Sequence, residues 1–321
     1  MAVPLKQPIV FQLEGFYVPP GYGAFLFFLA LLCYIVIMLA NGVVLCIIVI
    51  DKNLHRPMYI LVCNLVVCDL LGATTVLPRL MMHFLMGQKK IGYISFVIQL
   101  GITSRAILTV MAYDRYVAIC NPLRYSAIMT LPVRLLLIAG AWSFGAFCTL
   151  PATSMSFQRS YCGPNVVNHG WCDPSSVRRL VCGDVTVDNI VSLSCAVVAL
   201  STTGILILTS YILIGVSVSK MVVAQRLKAF GTCAAHLTVV SISYSSASCV
   251  YISYRVGNFP PEVRIIVSVL YAALTPFLNP MIYSLKNKEL RESIGRNLMR
   301  FRPAGHIKLF IILLTTYVNQ Q

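Results

Sequence analysis

The residues able to do chemistry in this 321-residue chain stand mostly where charge is costly, inside or at the ends of long apolar runs. Asp114 and Arg115 close a run that climbs from Ile91, with Pro122 and Arg124 just beyond. An adjacent acid and base at the end of a membrane-length helix has two readings. Arg115 snorkels to the headgroups with Asp114 as a local partner, or the pair is a breakable lock at a mouth of the bundle. Asp69 lies about 16 Å along another run at helical rise. It is a functional carboxylate, or else a protonated or internally hydrogen-bonded group. Arg105 lies about 15 Å deeper than Arg115, where snorkelling is difficult. It needs a partner inside the bundle: Asp69, at similar depth, or an anionic ligand group held by charge-assisted, bidentate hydrogen bonds. Val97, Ile98, Gly101, Ile102 and Arg105 recur at helical spacing and form one stripe. Asn41-Gly42 pairs a polar side chain with a small one, which suits an interhelical hydrogen bond. His236 can titrate near a helix mouth or serve as a hydrogen-bonded structural group. No nucleophile–base pair and no Cys-x-x-Cys or Cys/His cluster of zinc spacing is present. These residues carry no pattern for catalysis, a metal or a cofactor.

Those groups need elements that cross a bilayer. The chain is 58% hydrophobic and 11% charged, where a soluble domain carries about a quarter charged residues. Seven runs reach the roughly 20 residues that span a hydrocarbon core: Phe25–Ile50, Met58–Pro78, Ile91–Tyr113, Leu135–Met155, Asn189–Val218, Ala229–Tyr254 and Val263–Leu285. Backbone groups in lipid must be satisfied within their own segment, and the period-2 pattern of a barrel is absent, so these runs are helices. Basic residues set the orientation. With the N-terminus outside, 14 Lys and Arg lie on the inner side and 9 on the outer, with Arg105 and Arg115 in or at a span. The net charge of +15 is neither clustered nor interleaved with exposed aromatics, which argues against a nucleic-acid partner. The expected architecture is an all-α membrane protein, a seven-helix transmembrane bundle over residues 25–285. An extracellular segment, 1–24, precedes it. Residues 286–321 are cytoplasmic and begin with a short basic amphipathic helix, from Lys286 to Asn297, on the inner leaflet. The first twenty residues lack a basic-then-apolar signal pattern, so the first run serves as the insertion signal. The closing apolar run Ile307–Val318 is too short to span.

Most of the twelve cysteines lie inside apolar runs as small hydrophobes. Cys162, Cys172 and Cys182 instead punctuate a polar outer loop, where an oxidising lumen makes them disulfide candidates. In the last span, Pro276 and Pro280 flank Asn279 and remove backbone donors, which kinks the helix.

Five stretches in order resemble the signatures of odorant receptors, within the rhodopsin-like G-protein-coupled receptors. They are Met-Ala-Tyr-Asp-Arg-Tyr-Val-Ala-Ile-Cys-Asn-Pro-Leu-Arg-Tyr at 111–125, the cysteine trio, Ser210-Tyr211, Lys228–Leu237, and Pro276–Leu285 with its Asn279-Pro280-x-x-Tyr283. The resemblance covers Phe11 to Arg302, and the Gly15-Phe16 start is similar to that of fish members. It implies a small odorant bound between the outer helix halves and a stimulatory olfactory G protein that raises cyclic AMP. The place implied is the plasma membrane of olfactory sensory neurons. It implies Asp114, Arg115, Tyr116, Tyr211, Asn279, Pro280 and Tyr283 as the activation switch and G-protein contact. Asn41, Asp69, Ser104 and Asn279 would be a polar core. Val97, Ile98, Gly101, Ile102, Arg105, Tyr244 and Tyr251 would line the ligand pocket. It also implies a Cys162–Cys182 disulfide. The family's middle loop cysteine pairs at the head of span 3, but here that position is Lys90. Cys172 is left as a free thiol or paired with an unexpected cysteine. A transporter or channel is the rival class. It calls for inverted repeats or paired broken helices, and neither is seen.

Overall fold

Each of the seven apolar runs forms one long helix. In the structure, a computed structural model, these are α1 (Gly23–Ile50), α2 (Pro57–Met86), α3 (Phe96–Cys120), α4 (Leu131–Gln158), α5 (Thr186–Ser219), α6 (Val223–Arg255) and α7 (Pro261–Lys286). A shorter α8, Lys288–Arg300, follows at once. The structure describes residues 11–13, 21–86, 90–91, 96–162, 166–167, 180–255 and 261–300. Among the described residues, five helices are long and apolar enough to cross a membrane by themselves. α3 and α7 complete the bundle.

The helices outrun the apolar runs that mark them. α2 continues through Pro78, the last residue of its apolar run, to Met86. α3 starts at Phe96, because Ile91 is taken into a strand, and passes Tyr113 to reach Cys120. α6 begins at Val223 instead of Ala229. Helical hydrogen bonding does not stop where hydrocarbon stops; it ends where the backbone is blocked. For α3 the block is Asn121-Pro122, since a proline disfavours helical geometry in the residue before it.

α3 is the central post and packs against α2, α4, α5 and α6. One core draws on all seven long helices: Val44, Leu65, Met111, Ala141, Ile207, Val239 and Tyr283 are each buried in it. The opposite faces carry exposed Phe28, Leu136, Phe147, Leu208 and Ile212, a surface suited to lipid tails and a liability in water. At Gly145 a Cβ would collide with Thr103 Oγ1 on α3, so glycine lets α4 approach there.

On the inner side, α8 is clamped to the short loop between α1 and α2. Arg56 holds Glu289 with both carboxylate oxygens accepting, at 2.8 and 3.0 Å. Tyr59 donates to Glu289 at 2.9 Å. Ser293, fully buried, donates to Asp51, and Arg296 reaches the same carboxylate at 3.4 Å. The Ser293 hydroxyl, and then the Asn53 backbone N–H, hold the Asp51 carboxyl down at about 2.

On the outer side, three short strands join segments far apart in the chain. β1 (Phe11–Leu13) lies in the middle, antiparallel to β2 (Lys90–Ile91) and parallel to β3 (Val166–Val167). Lys90, at the position where the resemblance implies a cysteine, is paired through its backbone with Gln12. Cys162 and Cys182 form a disulfide, flanked by a Tyr161–Val181 bridge. Arg159 meets buried Asp188 at 3.0 Å and ties the end of α4 to the start of α5. Cys172 and the apolar run Ile307–Val318 lie outside the described residues.

Candidate functional site

Polar side chains inside the bundle occupy two levels along α3, a middle one and an inner one. At the middle level the prolines of α7 create the need and α1 meets it. Residue 280 has no N–H, so the carbonyl of Pro276 loses its helical donor. Asn41 supplies one, donating to Pro276 at 2.8 Å and to Ile37 on its own helix at 2.9 Å. One turn toward the inside, Asn279 Nδ2 donates to Asp69 Oδ2 at 2.8 Å. Asp69 is 4% exposed. A cavity of about 70 Å³ opens beside it, lined by Asp69, Gly72, Gly101, Ser104, Ser243 and Thr275 among others. Ser104 donates to the Leu100 carbonyl at 2.9 Å.

The inner level is organised by Arg115, Tyr211 and His236. Tyr211 on α5 and His236 Nδ1 on α6 are 2.7 Å apart, and His236 Nε2 lies 2.9 Å from the Leu108 carbonyl on α3. A carbonyl can only accept, so Nε2 carries the proton and Nδ1 accepts from the Tyr211 hydroxyl. This neutral ring joins three helices. Arg115 donates to the Met58 sulfur on α2, a weak acceptor for a buried guanidinium. Tyr283 is buried, with its hydroxyl 3.9 Å from the Met111 sulfur. Tyr116 packs around Ile214 and Cys233 with Tyr211 and Met221.

The adjacent acid and base do not lock to each other. Asp114 accepts from Tyr125 Oη at 2.7 Å, in a single helical turn, Tyr125–Ile128, between α3 and α4. Burial pushes the Tyr125 hydroxyl up, so it stays a donor. Neighbouring residues on a helix point about 100° apart and do not face each other, which is why Asp114 turns to the loop and Arg115 to the bundle axis.

At the depth of the Asp69 cavity, Arg105 and Asp69 do not form an ion pair either. Arg105 is buried, and its Nη1 donates to the Gly101 carbonyl at 2.8 Å. The Tyr244 hydroxyl donates to Thr203 on α5 at 2.7 Å. Depth along α3 matches Arg105 to Asp69, but direction does not: Ser104, one residue earlier, is the one facing the Asp69 cavity.

A family model described as olfactory receptor matches residues 30–300. Human olfactory receptor 13D1 is 36% identical over 297 residues, covering 90% of this chain and 86% of that protein. Mouse olfactory receptor 5G9 is 35% identical, over 88% and 91%, and human olfactory receptor 10H5 is 37% identical, over 89% and 93%. The chain belongs to the olfactory receptor family. Squid rhodopsin, a solved crystal structure, shares the fold at a TM-score of 0.65 with 19% identity, covering 88% of this chain and 82% of that one. The chain is thus a multi-pass membrane receptor of the G-protein-coupled class and not an enzyme.

For an olfactory receptor, the residues expected to form the polar core do come together. Asn41, Asp69 and Asn279 sit on α1, α2 and α7 around the Pro276–Pro280 segment, with Ser104 lining the same cavity. The expected ligand stripe divides. Gly101 lines the Asp69 cavity, Arg105 turns away from it, and Tyr244 bonds to α5. The side chains of Val97, Ile98 and Tyr251 lie outside the described residues. Ile102 is part-exposed. Sequence reasoning missed Met58, Tyr125 and Thr203, and gave His236 no partners. For His236 the signal was present: a ring in an apolar run needs two polar neighbours, and Tyr211 is the tyrosine at matching depth on the preceding helix.

Proposed function

We propose that this receptor binds a small odorant between the outer halves of its helices and, in response, activates a stimulatory olfactory-type heterotrimeric G protein that raises cyclic AMP. It acts in the plasma membrane of olfactory sensory neurons. The observation that carries this reading is the inner level. Arg115 is a buried cation whose acceptor is a thioether, and beside it Tyr211 and Tyr283 hold hydroxyls with other partners. Such a group is bistable: a modest rearrangement of α6 gives the guanidinium better acceptors. A ligand shifts the population by its difference in affinity for the two arrangements. Asp69 and Asn279, with Pro280, couple the outer half to this mouth through the kink in α7. Asp114, released from Tyr125, and Tyr116 border the same mouth and take part in the G-protein contact.

The test is an odorant panel with a cyclic AMP readout, run beside guanine-nucleotide exchange in reconstituted membranes. Exchange without a rise in cyclic AMP would reassign the G protein. Solute or ion flux without exchange would overturn the receptor mechanism.

A further inference from the structure

A single oxygen atom can change the acceptor that holds Arg115. Arg115 is 8% exposed and donates through Nη2 to the sulfur of Met58. Met58 is the second residue of α2, after Pro57, and so stands at the inner end of its helix. It is part-exposed there, within reach of small solutes on the inner side. It is thus open to solvent and set against a buried cation at once, whereas Met111 and Met129 are each only 2% exposed. A thioether accepts hydrogen bonds weakly. Its sulfur has two lone pairs: Arg115 takes one, and the other can attack an oxidant. Methionine has three rotatable side-chain bonds, so an oxygen added to the sulfur can swing round to the guanidinium. A sulfoxide oxygen is a strong, partly negative acceptor, and its bond to an arginine is charge-assisted. In an apolar core, oxidation of methionine introduces a polar group and disrupts packing. Beside Arg115 it supplies the strong acceptor that the cation lacks.

We propose that Met58 is a reversible oxidation site, at which hydrogen peroxide converts the thioether to a sulfoxide that clamps Arg115 and holds the inner mouth shut. In this step the sulfur gives up two electrons and gains one oxygen as the peroxide O–O bond breaks. The proton of the transferred oxygen passes to the other, which leaves as water. A methionine sulfoxide reductase removes the oxygen again, with a dithiol as electron donor. Before oxidation, a rearrangement of α6 offers Arg115 better acceptors than the thioether. After it, the closed arrangement already holds a good one, and the population moves away from the open state. The consequence for signalling rests on the switch proposed above; the clamp itself does not.

The experiment uses the full chain in lipid nanodiscs, treated with dilute hydrogen peroxide beside Met58→Leu treated alike, so that oxidation elsewhere cancels. Peptide mass spectrometry should find one added oxygen on Met58. Treatment should shift the thermal-unfolding midpoint upward relative to the shift in Met58→Leu. Arg115→Ala should abolish that difference, which separates the clamp from a packing change at Met58. Met58→Gln tests the same bond without an oxidant. Its amide oxygen should raise the midpoint above that of Met58→Leu, and only while Arg115 is present. Nucleotide exchange on an added heterotrimeric G protein, measured without odorant, should fall roughly tenfold on oxidation, the worth of one hydrogen bond to a charged group. Methionine sulfoxide reductase should restore it. Met58 left unoxidised while Met221, also part-exposed, is oxidised overturns the proposal. So does an oxidised or Gln-substituted receptor no more stable than Met58→Leu, or a gain in stability that persists in Arg115→Ala. Where the unoxidised receptor is active, exchange unchanged by complete oxidation also overturns it. The two readings fail separately: no exchange from the unoxidised receptor, with or without odorants, sinks the receptor mechanism, while the midpoints still decide the clamp.

Discussion

Asn41→Ala should weaken the receptor through the Pro276 carbonyl. The substitution removes the 2.8 Å bond to Pro276 and the 2.9 Å bond to Ile37. The carbonyl of Ile37 keeps its helical donor, but that of Pro276 has none, because residue 280 is proline. Leaving a buried acceptor unsatisfied costs about 1–3 kcal/mol, against about 0.5–1.5 kcal/mol for an ordinary hydrogen bond. The test is a double-mutant cycle with Pro280→Ala, whose new N–H can donate to Pro276 and restore the helical bond. In that background Asn41→Ala should cost clearly less, with a coupling of about 1 kcal/mol or more, beyond the roughly 0.3–0.5 kcal/mol within which independent sites add. Denaturant titration of the four purified proteins in bicelles, followed by helical circular dichroism, gives the four free energies. This readout does not depend on signalling, which matters because Pro280 also belongs to the proposed switch. An additive cycle would refute the idea that Asn41 serves the carbonyl freed by Pro280.

Arg115→Ala should reach the cell surface at the normal level and lose odorant-stimulated nucleotide exchange; a mutant with intact exchange would remove Arg115 from the switch. Mass spectrometry of non-reduced peptides should recover a Cys162–Cys182 pair, and Cys182→Ser should lower stability by roughly 3 kcal/mol, the chain-entropy expectation for a loop of about 20 residues. The Asp51 clamp should respond to acid in one direction only. Its carboxyl is held at about 2 in the folded receptor against 3.8 for the free group. Its contribution is therefore fully present above about pH 4 and is lost as the pH falls toward 2. Amide hydrogen exchange in α8 should stay slow through neutral and mildly acidic pH and rise only in that window. Ser293→Ala should bring the rise to higher pH, and an unchanged profile would count against the clamp. Gly145→Ala should cost roughly 1–3 kcal/mol by overpacking against Thr103, read as a lower unfolding midpoint.

Seven spans were legible because length and apolarity alone decide what can cross a bilayer. Their ends were not, since α3 stops at a proline and not at the edge of the hydrocarbon. Depth was legible too: Asp69, Arg105 and Arg115 lie at the levels that helical rise assigns. Direction around the helix was harder to read. A single residue step turns Arg105 away from Asp69 while Ser104 faces it, and the same step separates Asp114 from Arg115. The clamp of α8 on Asp51 and Arg56 joins residues more than two hundred positions apart, and nothing local in either segment announces the other. Asn41 read correctly as a hydrogen-bonding side chain between helices, but its acceptor, a carbonyl orphaned by a proline, emerges only when two helices are set side by side.

The outer sheet has a consequence for how the receptor is made. β1 is the first element among the described residues, yet it is the middle strand, and its two neighbours come from the loops after α2 and α4. During synthesis it emerges with no partner, meets Lys90–Ile91 first, and must wait across the membrane for its second neighbour until Val166–Val167 follow. Closure of the outer face is thus a late, long-range event, and contacts so distant in sequence form slowly. Until Lys90–Ile91 follow, the strand presents two open edges, and from then until β3 arrives it presents one, able to pair with another chain. The period between export of the first residues and arrival of the second outer loop is when a nascent receptor of this design is most exposed to misassembly in the lumen. A tag or fusion placed close ahead of Phe11 would act on that waiting strand before it acted on any finished receptor.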